Sequence, residues 1–150
     1  MTTPQLSPAW QDVLTRISTR RSSLVLMPGA ILALLALAES GKAPSGKFHL
    51  SDFEQAFTEL MNKIDPSKKG KAWQPFYHLS AGAGLWALSK AGSPADFSDL
   101  RKGKPAGASS LRARVDSAQV RGDLVADLEL AATRSSIQAQ VQGMLIGTAS

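Results

Sequence analysis

His49 and His78 are the only two histidines in the chain, and neither has a partner at a metal-ligand spacing such as HxxxH or HExxH. The absence of cysteine excludes thiolate-based zinc and iron–sulfur sites and any disulfide-stapled fold. The chain has no GxxxxGK[ST] phosphate loop, no GxSxG nucleophile elbow and no HNH-type metal cluster. Gly82-Ala83-Gly84 looks like a fragment of a dinucleotide fingerprint, but it falls in an expected turn rather than between a strand and a helix. Ser/Asp pairs carry no nucleophilic chemistry without a histidine base. These residue types describe a binding module with no catalytic residue, no metal and no cofactor.

Charge is the next chemical signal. Seventeen Lys+Arg against twelve Asp+Glu give a net charge of +5, which tilts the expected partner toward a polyanion. By thirds of the chain the net values are +3, −1 and +3. Even the acidic middle third holds a basic knot, with Lys63, Lys68, Lys69 and Lys71 around a Pro/Ser/Gly loop. Two further loops share this character, Arg20-Arg21-Ser22-Ser23 and Arg101-Lys102-Gly103-Lys104. The common reading of such runs is a solvated loop tip; the functional one is phosphate contact.

The elements that must position these loops are mostly helical. At 150 residues one domain is expected, spanning 1–150, with enough chain to bury roughly two-thirds of its unfolded surface. Ser7-Pro8 opens a first helix with Trp10, Val13, Leu14 and Ile17 at helical spacing. Pro28 fits the first turn of a second, whose Ile31, Leu32, Leu34, Leu35 and Leu37 leave almost no polar face before Ser40-Gly41; such a helix belongs at the centre of a core. Ser51-Asp52-Phe53-Glu54 reads as a capping box, and Phe53, Phe57, Leu60, Met61 and Ile64 line a third helix ending before Asp65-Pro66. The pattern then alternates, so Phe76–Leu79 and Leu85–Leu88 are expected to form a β-hairpin around Ser80–Gly84. The stretch 91–109 reads as a long connection with one helical turn at 95–100. A short turn at 111–115 and helices over 117–132 and 136–146 follow. The expected fold class is mainly α, a compact helical domain with a short two-stranded hairpin.

Thr19-Arg20-Arg21-Ser22-Ser23-Leu24 before the apolar run 24–38 superficially resembles a twin-arginine export signal. An amphipathic segment with Asp12 precedes it, Pro28-Gly29 interrupts it, and fifteen apolar residues are too few to cross a bilayer. A buried helix is the better reading, and the expected location is the cytoplasm, with no membrane partner.

Three segments together carry a resemblance. Met27-Pro28-Gly29-Ala30-Ile31-Leu32 with its Leu-rich continuation, Phe53–Leu60, and Pro75-Phe76-Tyr77-His78-Leu79 with Leu85-Trp86-Ala87-Leu88 are similar to the sulfur-binding domain of phosphorothioate-dependent restriction endonucleases, of the type IV, HNH-containing kind. The similarity runs from about Trp10 to Ile146, including Ser109-Ser110-Leu111 and the two closing helices. It implies recognition of double-stranded DNA in which sulfur replaces a non-bridging backbone oxygen, with the protein in the major groove. It implies a shallow apolar cavity for the sulfur at the start of a Pro-Phe strand, formed by Gln74, Pro75 and His78, with Met27 on the facing loop. Where many members have an aromatic residue this chain has Gln74, with Trp73 immediately upstream. Where many have a basic residue it has Met27, whose thioether is a soft, adaptable contact. The implied DNA contacts are Arg20, Arg21, Ser22, Ser23, Lys68, Lys69, Lys71, Arg101, Lys102 and Lys104. Members commonly carry a C-terminal HNH nuclease domain, so any endonuclease activity is expected outside this chain.

The physics of the substitution agrees with such a site. Sulfur is larger, more polarisable and a poorer hydrogen-bond acceptor than oxygen, so an apolar concavity favours it and penalises a hydrated oxygen. Proline supplies a rigid CH₂ face and no N–H. Two other readings fit the same residues: a helical protein–protein adaptor with merely solubilising charges, and a general DNA-binding module indifferent to sulfur.

Overall fold

The apolar run beginning at Leu26 has no polar face to offer water, so it becomes the centre around which the other elements assemble. The computed structural model describes residues 6–18, 26–68, 70–81, 85–97 and 107–149, with the backbone alone at 17, 18, 68, 81 and 144–149. Seven helices appear among the described residues: α1 (Pro8–Ser18), α2 (Leu26–Glu39), α3 (Leu50–Ile64), α4 (Trp73–Ala81), α5 (Ala108–Arg114), α6 (Gly122–Glu129) and α7 (Ala131–Ala149). Four short strands accompany them: β1 (Lys47–His49), β2 (Trp86–Lys90), β3 (Ser93–Pro94) and β4 (Ser117–Val120). The fold is mainly α, as the periodicity implies, but its β component is a four-stranded antiparallel sheet rather than a lone hairpin.

Helix α2 packs against α3, α4, α6 and α7. It crosses α3 closely at Gly29, where an added Cβ would fall 2.5 Å from Met61 Cε and 3.5 Å from Phe57 Cε2. Trp10 on α1 is fully buried and its indole N–H donates to the Leu124 carbonyl of α6 over 2.9 Å, so α1 and α6 close on one core. The buried side chains form a single apolar cluster. Its aromatic part joins Phe48, Phe53, Phe57, Phe76 and Trp86, with neighbouring ring centroids 5.2 to 6.1 Å apart. These rings come from β1, α3, α4 and β2, and their mutual burial fixes where α4 lies.

Five local expectations are corrected. Residues 76–79 are helical, not a strand: Phe76 and Leu79 are both fully buried at a spacing of three, and Pro75 in the first turn of α4 gives up an N–H that the helix leaves unpaired anyway. Strand β2 instead pairs with β3 through the two-residue turn Ala91-Gly92 and, on its other side, with β4 (Trp86 opposite Val120, Leu88 opposite Ala118). Residues 117–120 are therefore the strand β4 at the centre of the order β1-β4-β2-β3, not the start of a helix. Ala118 and Val120 are buried around exposed Gln119, a period of two that the adjoining helix signal of 122–129 hides. Finally, the capping box does not form. Strand β1 runs straight into α3 at Leu50, whose N–H donates to the Asp116 carbonyl at 2.9 Å, and Glu54 is drawn away into an ion pair with Arg112. The helical turn expected at 95–100 is absent from 95–97, and the turn expected at 111–115 is the longer helix α5.

Candidate nucleic-acid interface

The residues singled out around Pro75 are brought together by the helix that replaces the expected strand. On a strand, Pro75 and His78 would point to opposite faces; on α4 they stand at i and i+3, and Gln74 and His78 stand at i and i+4. Gln74, Pro75 and His78 consequently share one face. Pro75 is buried, and its neighbours Gln74 and His78 are half-buried. The turn that launches α4 is closed by the Gln74 N–H on the Lys71 carbonyl and the Phe76 N–H on the Ala72 carbonyl, each at 3.2 Å. Trp73 and Tyr77, also four apart, are half-buried and pack on the core. The Tyr77 ring meets His78 at 5.5 Å and 71°, and Phe97 edge-on at 5.3 Å and 83°.

Met27 belongs to a different helix from this group. It sits in the first turn of α2 at 2% exposure and packs within the core. Lys71 is exposed two residues before α4, and no ion pair engages it among the described residues. Lys68 closes the 3-10 turn Pro66–Lys68, with its backbone alone described. Arg20, Arg21, Ser22, Ser23, Lys69, Arg101, Lys102 and Lys104 lie outside the described residues.

Two electrostatic features bear on α4 beyond its motif residues. From Pro66 to Ala95 the sequence has no Asp or Glu, so the whole stretch containing α4 offers a polyanion no carboxylate of its own. That signal is legible in the sequence. The second needs the structure: the described arginines are engaged within the fold. Arg16 pairs with Asp12, Arg112 with Glu54 and Arg121 with Asp123, while Arg114 donates to the Asp96 carbonyl and Arg134 to that of Leu128. The Glu54 partner strengthens the hold of Arg112 on its proton, first through the hydrogen bond and then through charge. On this fold lysines such as Lys71, rather than arginines, are the uncommitted cations among the described residues.

Elsewhere, α3 carries three carboxylates, Asp52, Glu54 and Glu59. A surface groove of about 250 Å³ between α2 and α3 is lined by Asp52, Gln55 and Glu59 with Lys42 and Ser40 above an apolar floor. Two carboxylates against one ammonium make that groove unattractive to a phosphate backbone. Among the described residues no group of three or more His, Asp or Glu side chains is arranged to hold a metal ion, and no helix is long and apolar enough to cross a membrane. Compared with known proteins, the chain matches no family model and no curated protein.

Proposed function

We propose that this chain binds double-stranded, phosphorothioate-modified DNA in its major groove, as the recognition module of a restriction system. In this reading the sulfur rests on the α4 face made by Gln74, Pro75 and His78, with Trp73 beside it. Met27, buried in α2, does not touch the ligand in this reading. Lys71, with Lys68 and Lys69 and the basic loops at 20–23 and 101–104, holds neighbouring phosphates, and a nuclease, where one acts, belongs to a separate domain. The observation that carries the proposal is the spacing of 74, 75 and 78 on a helix: it sets a buried proline beside two half-buried polar side chains, inside a stretch free of carboxylates.

A proline face discriminates by what it withholds. It offers no donor to a phosphate oxygen, which would be stripped of water without compensation, while a sulfur loses less and gains dispersion contact. Pro75→Ala is therefore expected to lower the preference for a duplex with one phosphorothioate far more than it lowers salt-sensitive binding to the unmodified twin. Equal loss on both duplexes would overturn the placement of the sulfur at Pro75. A second reading, a DNA-binding module indifferent to sulfur, is favoured by the 2% exposure of Met27, which removes one wall from the implied cavity.

A further inference from the structure

The groove between α2 and α3, unattractive to phosphate, suits a ligand of the opposite charge. Asp52, Gln55 and Glu59 recur at intervals of three and four along one face of α3, and Leu37 and Lys42 line the groove from the end of α2 and the turn after it. Among the described residues neither carboxylate has a cationic partner: Lys42 pairs with neither, and Glu59 accepts from Gln55 Nε2 at 3.4 Å. Helix α2 ends on Glu39 with no basic residue in its last turn, so the negative end of its dipole adds to the same potential. Asp52 and Glu59 are seven residues apart, about 10 Å of helix rise, while Leu37 and Ala56 supply apolar floor. Two donors so spaced are not a metal site; they suit an elongated ligand with a cation at each end and an apolar middle. At about 250 Å³ the groove is smaller than the roughly 300–1,000 Å³ of a small-molecule pocket, so it takes side chains of a chain lying across it rather than a whole ligand.

We propose that this groove is a docking surface for an extended basic segment of a partner protein, in which two arginines flank an apolar side chain. Alternate residues of an extended segment share one face, so Arg-x-Leu-x-Arg presents both guanidiniums and the leucine on one side, with the arginines about 13 Å apart along the backbone. Their flexible stems take up the difference from the carboxylate spacing. The leucine meets Leu37 and Ala56, and each planar guanidinium pairs with one carboxylate, a geometry that an ammonium matches less well. Lys42 on the rim opposes any cation and so limits the affinity. The surface is selected by carboxylates, which the stretch carrying α4 lacks, so the proposal does not rest on the DNA-binding reading.

The test uses the whole isotope-labelled chain and a synthetic probe, acetyl-Arg-Ala-Leu-Ala-Arg-amide. Its control is the same peptide with both arginines replaced by citrulline, which keeps the shape and removes the charge. Followed by amide NMR, the arginine peptide is expected to give saturable shifts at Ser40, Gln55 and Ala56 and to bind at least about tenfold more tightly than its citrulline twin. Asp52→Asn and Glu59→Gln should each weaken the arginine peptide by up to about fivefold, and Lys42→Ala should strengthen it by up to about fivefold. The opposite signs separate a groove effect from a loss of folding, which can only weaken binding. Equal binding of the two peptides, shifts centred outside the groove, or one affinity shared by the unaltered chain and all three variants would overturn the proposal. None of these outcomes bears on the DNA-binding reading, which is tested with duplexes.

Discussion

The indole N–H of Trp86 donates to the main-chain carbonyl of Phe76 over 2.8 Å, inside the core, and this bond fastens strand β2 to the helix that carries the candidate face. Both rings are also in the aromatic cluster, 5.6 Å apart. Trp86→Phe keeps an aromatic ring there and deletes the donor. The expected cost is about 1–2 kcal/mol, from the lost bond and a partly filled cavity. Urea unfolding of the variant against the unaltered chain measures it, and an unchanged midpoint would mean that α4 is held by packing alone.

Gly46 stands at the junction of the 3-10 turn Pro44–Gly46 and strand β1, with φ +82. A Cβ there would meet Val125 Cγ2 at 2.9 Å and Val120 Cβ at 3.0 Å. Gly46→Ala is penalised twice, by the left-handed backbone and by overlap with β4 and α6, and should cost about 2–4 kcal/mol. Ala91 has the opposite problem: at φ 52 it occupies the first position of the β2–β3 turn, where glycine is preferred. Ala91→Gly should leave stability unchanged or raise it by up to about 1 kcal/mol. Thermal unfolding of the two variants side by side gives both signs.

Acid should loosen the same turn. The Ala91 N–H, at 2.9 Å, holds the Asp116 carboxyl below the usual carboxylate range against a smaller opposing desolvation; the Ser117 hydroxyl at 3.2 Å and the charge of Lys90 act in the same lowering direction. Because the folded value lies below the unfolded one, near 3.9, the contribution is complete above the unfolded value and disappears as pH falls through the folded one. Asp116→Asn should therefore be less stable than the unaltered chain at pH 7, with the gap closing on acidification. Urea midpoints at pH 7, 4 and 3 follow it; a gap of constant size would show that the charge of Asp116 is not what holds the turn.

Replacing Lys68, Lys69 and Lys71 together by Ala should flatten the salt dependence of DNA binding by up to about 2.7 in slope, with little effect on the preference for sulfur. A slope identical to that of the unaltered chain would remove this loop from the interface.

Much of the helical framework is legible in the residues. Pro8 and Pro28 mark the first turns of α1 and α2, the Phe53/Phe57/Met61 spacing defines α3, and Trp10 and Trp86 are core as their periodicity implies. What fails is short segments whose form depends on partners far along the chain. Phe76-Tyr77-His78-Leu79 alternates well enough for a strand, and only burial of Phe76 against Phe48 and Phe53 makes it a helix. Ser117–Val120 is a strand because β1 and β2 flank it. The same effect governs the site. Positions 74, 75 and 78 are readable as a group only through resemblance, and their physical coherence follows from the helix that local alternation conceals.

The central claim is that sulfur, and not charge alone, is what the α4 face selects. The direct measurement is equilibrium binding of the whole chain, by fluorescence anisotropy, to a duplex carrying one Rp phosphorothioate and to its unmodified twin, each at two salt concentrations. A preference of 1–3 kcal/mol corresponds to about 5- to 150-fold tighter binding of the modified duplex. That ratio should persist at both salt concentrations while both affinities fall together as salt rises. Equal affinity for the two duplexes, or binding to neither, would contradict it.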